Sequence, residues 1–305
     1  MGAGGQGRTN LRALFQEPDA QVVAVADPIE EFGLDAFYYK GLAGRKPVLA
    51  EIRQDLSKRS PGLRAVEYED FRVMLDKEKA IDAVLCATPD HLHAYVSITA
   101  MRRGKHVYCE HPAYTPVTWR DFWAFGTGAL GDFGCHDMDA PCWALDLVSP
   151  ATIEARPAGQ TSADIAPHGE LCYYQFGPRG DKPPVRLTWY TGGLKPPCPE
   201  EMGEGRPLPD RGVLFVGERG LMLCEGAGGP PRLLPMEKTR QYKKPPAALP
   251  RSKGHHRDWL DACKGGPAAS ANFEYGARLT EIVLLGVLSL RTGKKIYWDA
   301  ANLKA

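Results

Sequence analysis

No stretch of this chain approaches the roughly twenty consecutive apolar residues of a membrane-spanning helix. A helical span is therefore not expected. Charge of one sign is lacking too: 38 Lys and Arg stand against 37 Asp and Glu, a formal net charge of +1. Neither nucleic acid nor a membrane surface is the expected partner. No basic–apolar–small leader is recognisable in the residues present. The eight cysteines (86, 109, 135, 142, 172, 198, 224 and 263) form no C-x-x-C pair, and their scatter is that of reduced, packed thiols. A cytoplasmic, reducing compartment is the expectation; an export signal upstream of Met1 would change it. Internal repeats and low-complexity tails are also missing.

What is present is ordinary for a globular protein: 305 residues, 43% hydrophobic and 25% charged, a length best filled by two domains. Prolines and glycines concentrate in residues 177–250, which predicts long loops between strands.

The most specific local pattern is at the start. Gly2-Ala3-Gly4-Gly5-Gln6-Gly7 fits G-x-G-x-x-G, and Asp27 follows Gly7 by 20 residues at the end of the apolar run 22–26. This is the distance at which an acidic side chain reaches the ribose 2′-hydroxyl of NAD. Gly2, Gly4, Gly5 and Gly7 are expected to let backbone approach a pyrophosphate, with the following helix offering free N–H groups. Pro28 and Ile29 follow Asp27 with no adjacent Arg for a 2′-phosphate, so NAD is favoured over NADP. A glycine-rich surface turn would give the same string with no cofactor.

Strand and helix patterns then alternate. Helices are predicted over 8–17, within 33–60, over 69–79 and over 91–103, and strands over 21–26, 81–87 and 105–109. This predicts a parallel sheet covered on both faces. After residue 112 the texture changes to aromatic and glycine-rich turns. Strand-like pieces follow at 151–155, 170–176, 185–190, 213–216 and 221–224, then helices at 255–264 and 275–291 and a last strand at 296–298. The fold class expected is α/β: a Rossmann-type doubly wound parallel sheet over 1–112, incomplete at its first strand and last units. An α+β domain with a mainly antiparallel open sheet follows over 113–305.

Two further motifs carry chemistry. Ala87-Thr88-Pro89-Asp90-His91-Leu92-His93 lies where a parallel strand gives way to a helix, the place where open α/β sheets bind ligands. Thr88 and Asp90 are expected to cap that helix as well. His91 and His93 diverge at i, i+2, so no metal site is expected from them. In Gly131-Asp132-Phe133-Gly134-Cys135-His136, Asp132 and His136 are four apart and share a helical face. A carboxylate can orient an imidazole there, as an acid/base that takes a hydroxyl proton requires; a cap and a packed histidine fit the spacing equally.

Taken in order, these segments resemble the Gfo/Idh/MocA oxidoreductases. The resemblance is carried by GAGGQGR at 2–8, VAVADP at 23–28, ATPDHLHA at 87–94, GKHVYCEHP at 104–112, GALGDFGCHDMD at 128–139 and the tail HHRDWLDACKGG with LTEIVLLGVLSLRTGKKIYWD. It implies an NAD(P)-dependent enzyme acting on a sugar or polyol hydroxyl by hydride transfer. Asp132 and His136 would be the catalytic pair, and Thr88, Pro89, His93 and Glu110 would lie in the cofactor pocket. It also implies a homo-oligomer formed through the second sheet. The closest branch is of dehydrogenases related to NAD-dependent glycosidases, which is the alternative activity.

Three departures accompany it. The family's opening apolar strand does not precede Gly2. The family's Glu-Lys-Pro is Glu110-His111-Pro112 here, making His111 the stand-in for a lysine beside the substrate hydroxyl, with a shorter reach and an unperturbed pKa near 6.5. Glu110 and Asp132 are 22 residues apart where the family has several tens. These predict a truncated chain with an internal deletion or a misassigned gene structure near 109–113, and an impaired fragment as the non-catalytic alternative.

Overall fold

The computed structural model describes residues 1–35, 39–110 and 118–305. The chain forms two compact units. The first holds Met1–Trp119, Ala124–Gly126 and Pro250–Ser270; the second holds Arg120–Trp123, Thr127–Leu249 and Ala271–Ala305.

The first unit runs α1 (Gly5–Leu14), β1 (Ala24–Ala26), β2 (Phe32–Gly33), β3 (Leu42–Ala43), α2 (Arg45–Arg59), β4 (Val66–Tyr68), α3 (Phe71–Lys77), β5 (Ala83–Cys86), α4 (Asp90–Met101) and β6 (His106–Cys109). β1 pairs with β4, and β5 with β6, both in parallel. Met1 and Gly2 bridge the two pairs. The Gly2 N–H donates to the Ala26 carbonyl at 3.0 Å, the Ala87 N–H donates to the Met1 carbonyl at 2.9 Å, and the Met1 ammonium donates to the Leu85 carbonyl at 2.8 Å. The order across the layer is β4, β1, Met1–Gly2, β5, β6, that of a doubly wound sheet.

Successive strand residues face opposite sides, so adjacent residues serve separate cores. Val25 packs with Leu11, Leu49, Ile52 and Leu56 from α1 and α2. Ala26 packs with Met74, Leu75, Val84 and Ala100, which brings in α3 and α4. The helical spacing expected over 33–60 holds from Arg45 onward; before it, β2 and β3 form an antiparallel pair, Phe32 opposite Ala43. Helix α1 begins at Gly5, earlier than its propensity predicts, because two of its first three residues are glycines held by close contact. A Cβ on Gly5 would lie 2.0 Å from the Tyr39 ring, and one on Gly7 2.0 Å from the Gly2 carbonyl oxygen.

Gly2 is the least replaceable residue of the turn. Its φ is +81°, and an added Cβ would lie 2.3 Å from the Ala87 carbonyl oxygen. Gly2→Ala is expected to cost about 3 kcal/mol or more, from positive-φ strain together with overpacking. Urea unfolding measures this; an unchanged midpoint would contradict the close packing of the turn against β5.

In the second unit, α5 (Gly128–Leu145) precedes β7 (Thr152–Ala158), β8 (Gly169–Phe176), β9 (Val185–Thr191), β10 (Gly212–Gly217), β11 (Gly220–Glu225), β12 (Arg232–Leu234) and α6 (Met236–Gln241). Helix α7 (His255–Cys263) clusters with the first unit, and α8 (Phe273–Thr292) and β13 (Ile296–Tyr297) complete the second. β13-β7-β8-β9 form a four-stranded antiparallel sheet and β10-β11-β12 a three-stranded one. The larger sheet shares one core with α5 and α8, built from Leu130, Met138, Ile153, Tyr174, Ile282 and Val283. A Cβ on Gly134 would lie 2.8 Å from Val283, so α5 and α8 meet where the sequence is smallest. Strand β12 and helix α6 stand inside the proline-rich stretch read as loop. Leu234 is buried there with Leu208 and Leu223, which outweighs the local turn signals.

Candidate functional site

In the first unit the glycine turn presents backbone to an open side. The Cβ position of Gly4 meets nothing nearer than Phe32 Cζ at 3.9 Å, and no side chain caps α1 among the described residues. Uncapped first-turn N–H groups beside free space fit the phosphates of a dinucleotide. Asp27 is buried behind them. One carboxylate oxygen accepts from the Ala3 N–H at 2.7 Å and the other from the Ile29 N–H at 2.8 Å. Each oxygen keeps a second lone pair for a hydroxyl. Asp27 therefore braces the turn it was expected to serve.

An arginine does come near Asp27, from 18 residues further along. Arg45 donates to the Pro28 carbonyl at 2.8 Å and the Asp27 carbonyl at 3.3 Å. Its guanidinium is already paired with Glu30 at 2.8 Å and Glu67 at 3.6 Å. The sequence concealed it because the β2–β3 pair separates the two positions in the chain and returns them together.

Thr88, Pro89 and His93 lie where β5 passes into α4. His93 Nε2 is 2.6 Å from the Thr88 carbonyl, and the Thr88 hydroxyl is 3.3 Å from Cys86 Sγ. The N-cap is Pro89, which makes no side-chain cap bond. This corrects the capping expected of Thr88 and Asp90: the helix starts at Asp90, one residue too early for Asp90 to be the cap and one too late for Thr88.

Glu110 follows β6 and is a hub. Its Oε1 accepts from Asn10 at 2.6 Å, from the Tyr108 hydroxyl at 2.8 Å and from Gln6 at 3.4 Å. Tyr39 donates to Gln6 at 2.7 Å. Tyr108 is in turn 2.6 Å from His255 Nε2, and its ring stacks on His256 with centroids 5.5 Å apart. Burial lowers the His256 pKa. Glu110 thus ties α1 to the end of β6, and α7 joins it through the aromatic rings. The His-His pair was visible in the tail motif, but nothing local linked it to Tyr108.

In the second unit, Asp132 and His136 occupy successive turns of α5. Asp132 is buried and ion-paired with Arg120; His136 is exposed. One residue on, Asp137 is buried and holds Arg211 through both oxygens, at 2.8 and 3.0 Å, and accepts from the Ala227 N–H at 3.0 Å. Arg211 also lies 5.0 Å from the centre of the Phe133 ring. Arg120 and Arg211 were not singled out in the sequence, because ion pairs across loops leave no periodic trace. His111 lies outside the described residues.

Among the described residues no helix is long and apolar enough to cross a membrane. Residues 1–122 match the family model GFO_IDH_MocA, described as an oxidoreductase family with an NAD-binding Rossmann fold. A stretch of 69 residues is 36% identical to the levoglucosan dehydrogenase of Pseudarthrobacter phenanthrenivorans; it covers 22% of this chain and 17% of that protein. The fold is similar to that of the WlbA dehydrogenase from Bordetella pertussis in complex with NADH and UDP-GlcNAcA, with TM-score 0.62, 14% identity, and 98% and 97% of the two chains covered. It is also similar to a levoglucosan dehydrogenase in complex with NADH and levoglucosan, with TM-score 0.52, 15% identity, and 97% of each chain covered. The expected two-part architecture, a Rossmann-type sheet followed by an antiparallel one, is borne out by the strands described above. These matches make the first 122 residues similar to the Gfo/Idh/MocA oxidoreductases and give the chain the fold of the two dehydrogenases above.

Proposed function

We propose that this chain is an NAD-dependent oxidoreductase acting on a sugar or polyol hydroxyl. The observation that carries the reading is the glycine turn with its uncapped helix, its open Gly4 face and the buried Asp27 behind it. Gly2, Gly4, Gly5 and Gly7 would hold the pyrophosphate and Asp27 the ribose, with Thr88, Pro89, His93 and Glu110 lining the remainder. Bound NAD supplies the hydride acceptor. His136 takes the hydroxyl proton, and Asp132 on the preceding turn orients it. His111 is the proposed third member. The sugar ligands of the two relatives above support a sugar as substrate.

The four-stranded sheet turns Leu171, Tyr173 and Tyr190, all half-buried, away from its core, and Tyr297 is exposed on its edge strand. We place homo-oligomer formation there; light scattering of the purified chain measures it. All eight cysteines are free, which suits a reducing, cytoplasmic compartment.

Calorimetric titration with NAD tests the core of the reading. NAD is expected to bind at least about tenfold more tightly than NADP, because a 2′-phosphate would meet the Asp27 carboxylate. Asp27→Asn is expected to narrow that preference. Absence of NAD binding by folded protein would overturn the proposal.

A further inference from the structure

Cys86 and Cys109 are direct partners across the parallel β5–β6 ladder, at the carboxyl ends of both strands. His93 reaches the same point from the first turn of α4. The two sulfurs and a ring nitrogen of His93 all lie within 4.8 Å of one another. Cys86 is fully buried, while His93 and Cys109 are half-buried, so the cluster is closed on one side and reachable from the other.

This is a soft donor set. Thiolate and imidazole prefer borderline and soft cations to magnesium or calcium, which take oxygen. With metal–sulfur and metal–nitrogen bonds of about 2.3 and 2.1 Å, tetrahedral ligand atoms sit about 3.5–3.8 Å apart. From separations of up to 4.8 Å the cluster needs to contract by at most about 1.3 Å to reach that spacing. Two thiolates also neutralise a divalent ion, so closing the site buries no net charge.

The tautomer of the histidine is already set. Its Nε2 is 2.6 Å from the Thr88 carbonyl. A carbonyl accepts and never donates, so the proton is on Nε2 and the lone pair on Nδ1. A ligating histidine whose other ring N–H donates to a carbonyl is the usual outer-shell arrangement of a metal site. The sequence could not reveal it, because spacings of 7 and 16 residues bring the three together only through strand pairing and the β5–α4 turn.

We propose that Cys86, His93 and Cys109 form a three-ligand site for a thiophilic divalent cation, zinc foremost. Binding releases the two thiol protons to solvent and forms two metal–sulfur bonds and one metal–nitrogen bond. A fourth position stays open toward the exposed side. Loading ties together β5, β6 and α4, the elements that carry Thr88, Pro89 and Glu110. The inference shares His93 with the proposed cofactor pocket but stands on this geometry alone, and its readouts are metal bands and affinities that do not depend on NAD turnover.

Cobalt titration of the reduced, metal-free full-length chain tests it. One equivalent is expected to give a thiolate-to-cobalt charge-transfer band with tetrahedral d–d bands, and zinc is expected to bleach both. Losing an outer-shell partner alone costs about 10–100-fold in metal affinity. Cys109→Ser and His93→Gln, which remove ligands, are each expected to lower zinc affinity at least about a hundredfold. The core position of Cys86 makes Cys86→Ser prone to misfold, so these two half-buried positions carry the test, with circular dichroism checking each fold. Cys198→Ser, at an exposed cysteine, is expected to leave the bands unchanged. Absence of the bands in the parent chain, or their persistence in folded Cys109→Ser and His93→Gln, would overturn the proposal.

Discussion

Replacing His136 by asparagine is expected to slow hydride transfer by about 10²–10⁴-fold, the usual contribution of a positioned acid/base, while NAD affinity stays unchanged. The split follows from the roles proposed. His136 would take the hydroxyl proton, while the glycine turn and Asp27 would hold the cofactor. Asp132 is expected to behave differently in kind. It is buried and ion-paired with Arg120. Asp132→Asn keeps the volume and removes the charge, so it should lower the rate without unfolding α5. Single-turnover formation of NADH, followed by its absorbance with saturating sugar, separates chemistry from binding. A full rate in His136→Asn would remove this residue from the mechanism.

The second large effect concerns stability and pH. Glu170, on β8, is 1% exposed, and neither carboxylate oxygen has a partner in good hydrogen-bond geometry, although Trp189 and the Leu130 backbone lie near enough to offset part of the burial. Burial pushes its pKa from 4.5 up to about 7. Below pH 4.5 the group is protonated both folded and unfolded. Between the two values the unfolded chain sheds its proton while the folded chain keeps it, so stability falls as pH rises. Above about 7 both states are ionised and the loss is complete. A shift of this size corresponds to about 3 kcal/mol. Glu170→Gln holds a neutral group there at every pH. The stability difference between parent and variant should therefore change by about 3 kcal/mol between pH 4.5 and pH 8, whatever fixed cost the amide adds. Urea melts across that range measure it; a constant difference would place the carboxyl in a solvated or paired environment.

Legibility in the sequence followed the range of the interaction responsible. The alternation of β5, α4 and β6 was plain, because each carries its own period and its own stop. That Asp132 and His136 stand one turn apart on α5 was legible because helical spacing is a local property. The β2–β3 pair was hidden because two-residue strands have no period, and they stabilise each other only after the chain turns back. β12 was masked by prolines that say nothing of the Leu221–Leu234 pairing across β11. The hub at Glu110 needed Asn10, 100 residues earlier, and was beyond any local pattern. The same holds for Arg45 beside Asp27, which composition alone would have placed in solvent.

Helix α7 is separated from the rest of its unit by more than a hundred residues of the other. Arg257 reaches back to Glu17 at 3.0 Å and Asp19 at 2.6 Å, and Lys264 also pairs with Asp19. During synthesis, the ribosome must finish nearly the whole chain before these ion pairs can form. The N-terminal sheet then waits, partly assembled, while the intervening segment folds as a unit. Non-local closure of this kind slows folding and lengthens exposure of unfinished surfaces. Chaperone demand in this protein should therefore track the time taken to translate residues 120–270, rather than the stability of either finished unit.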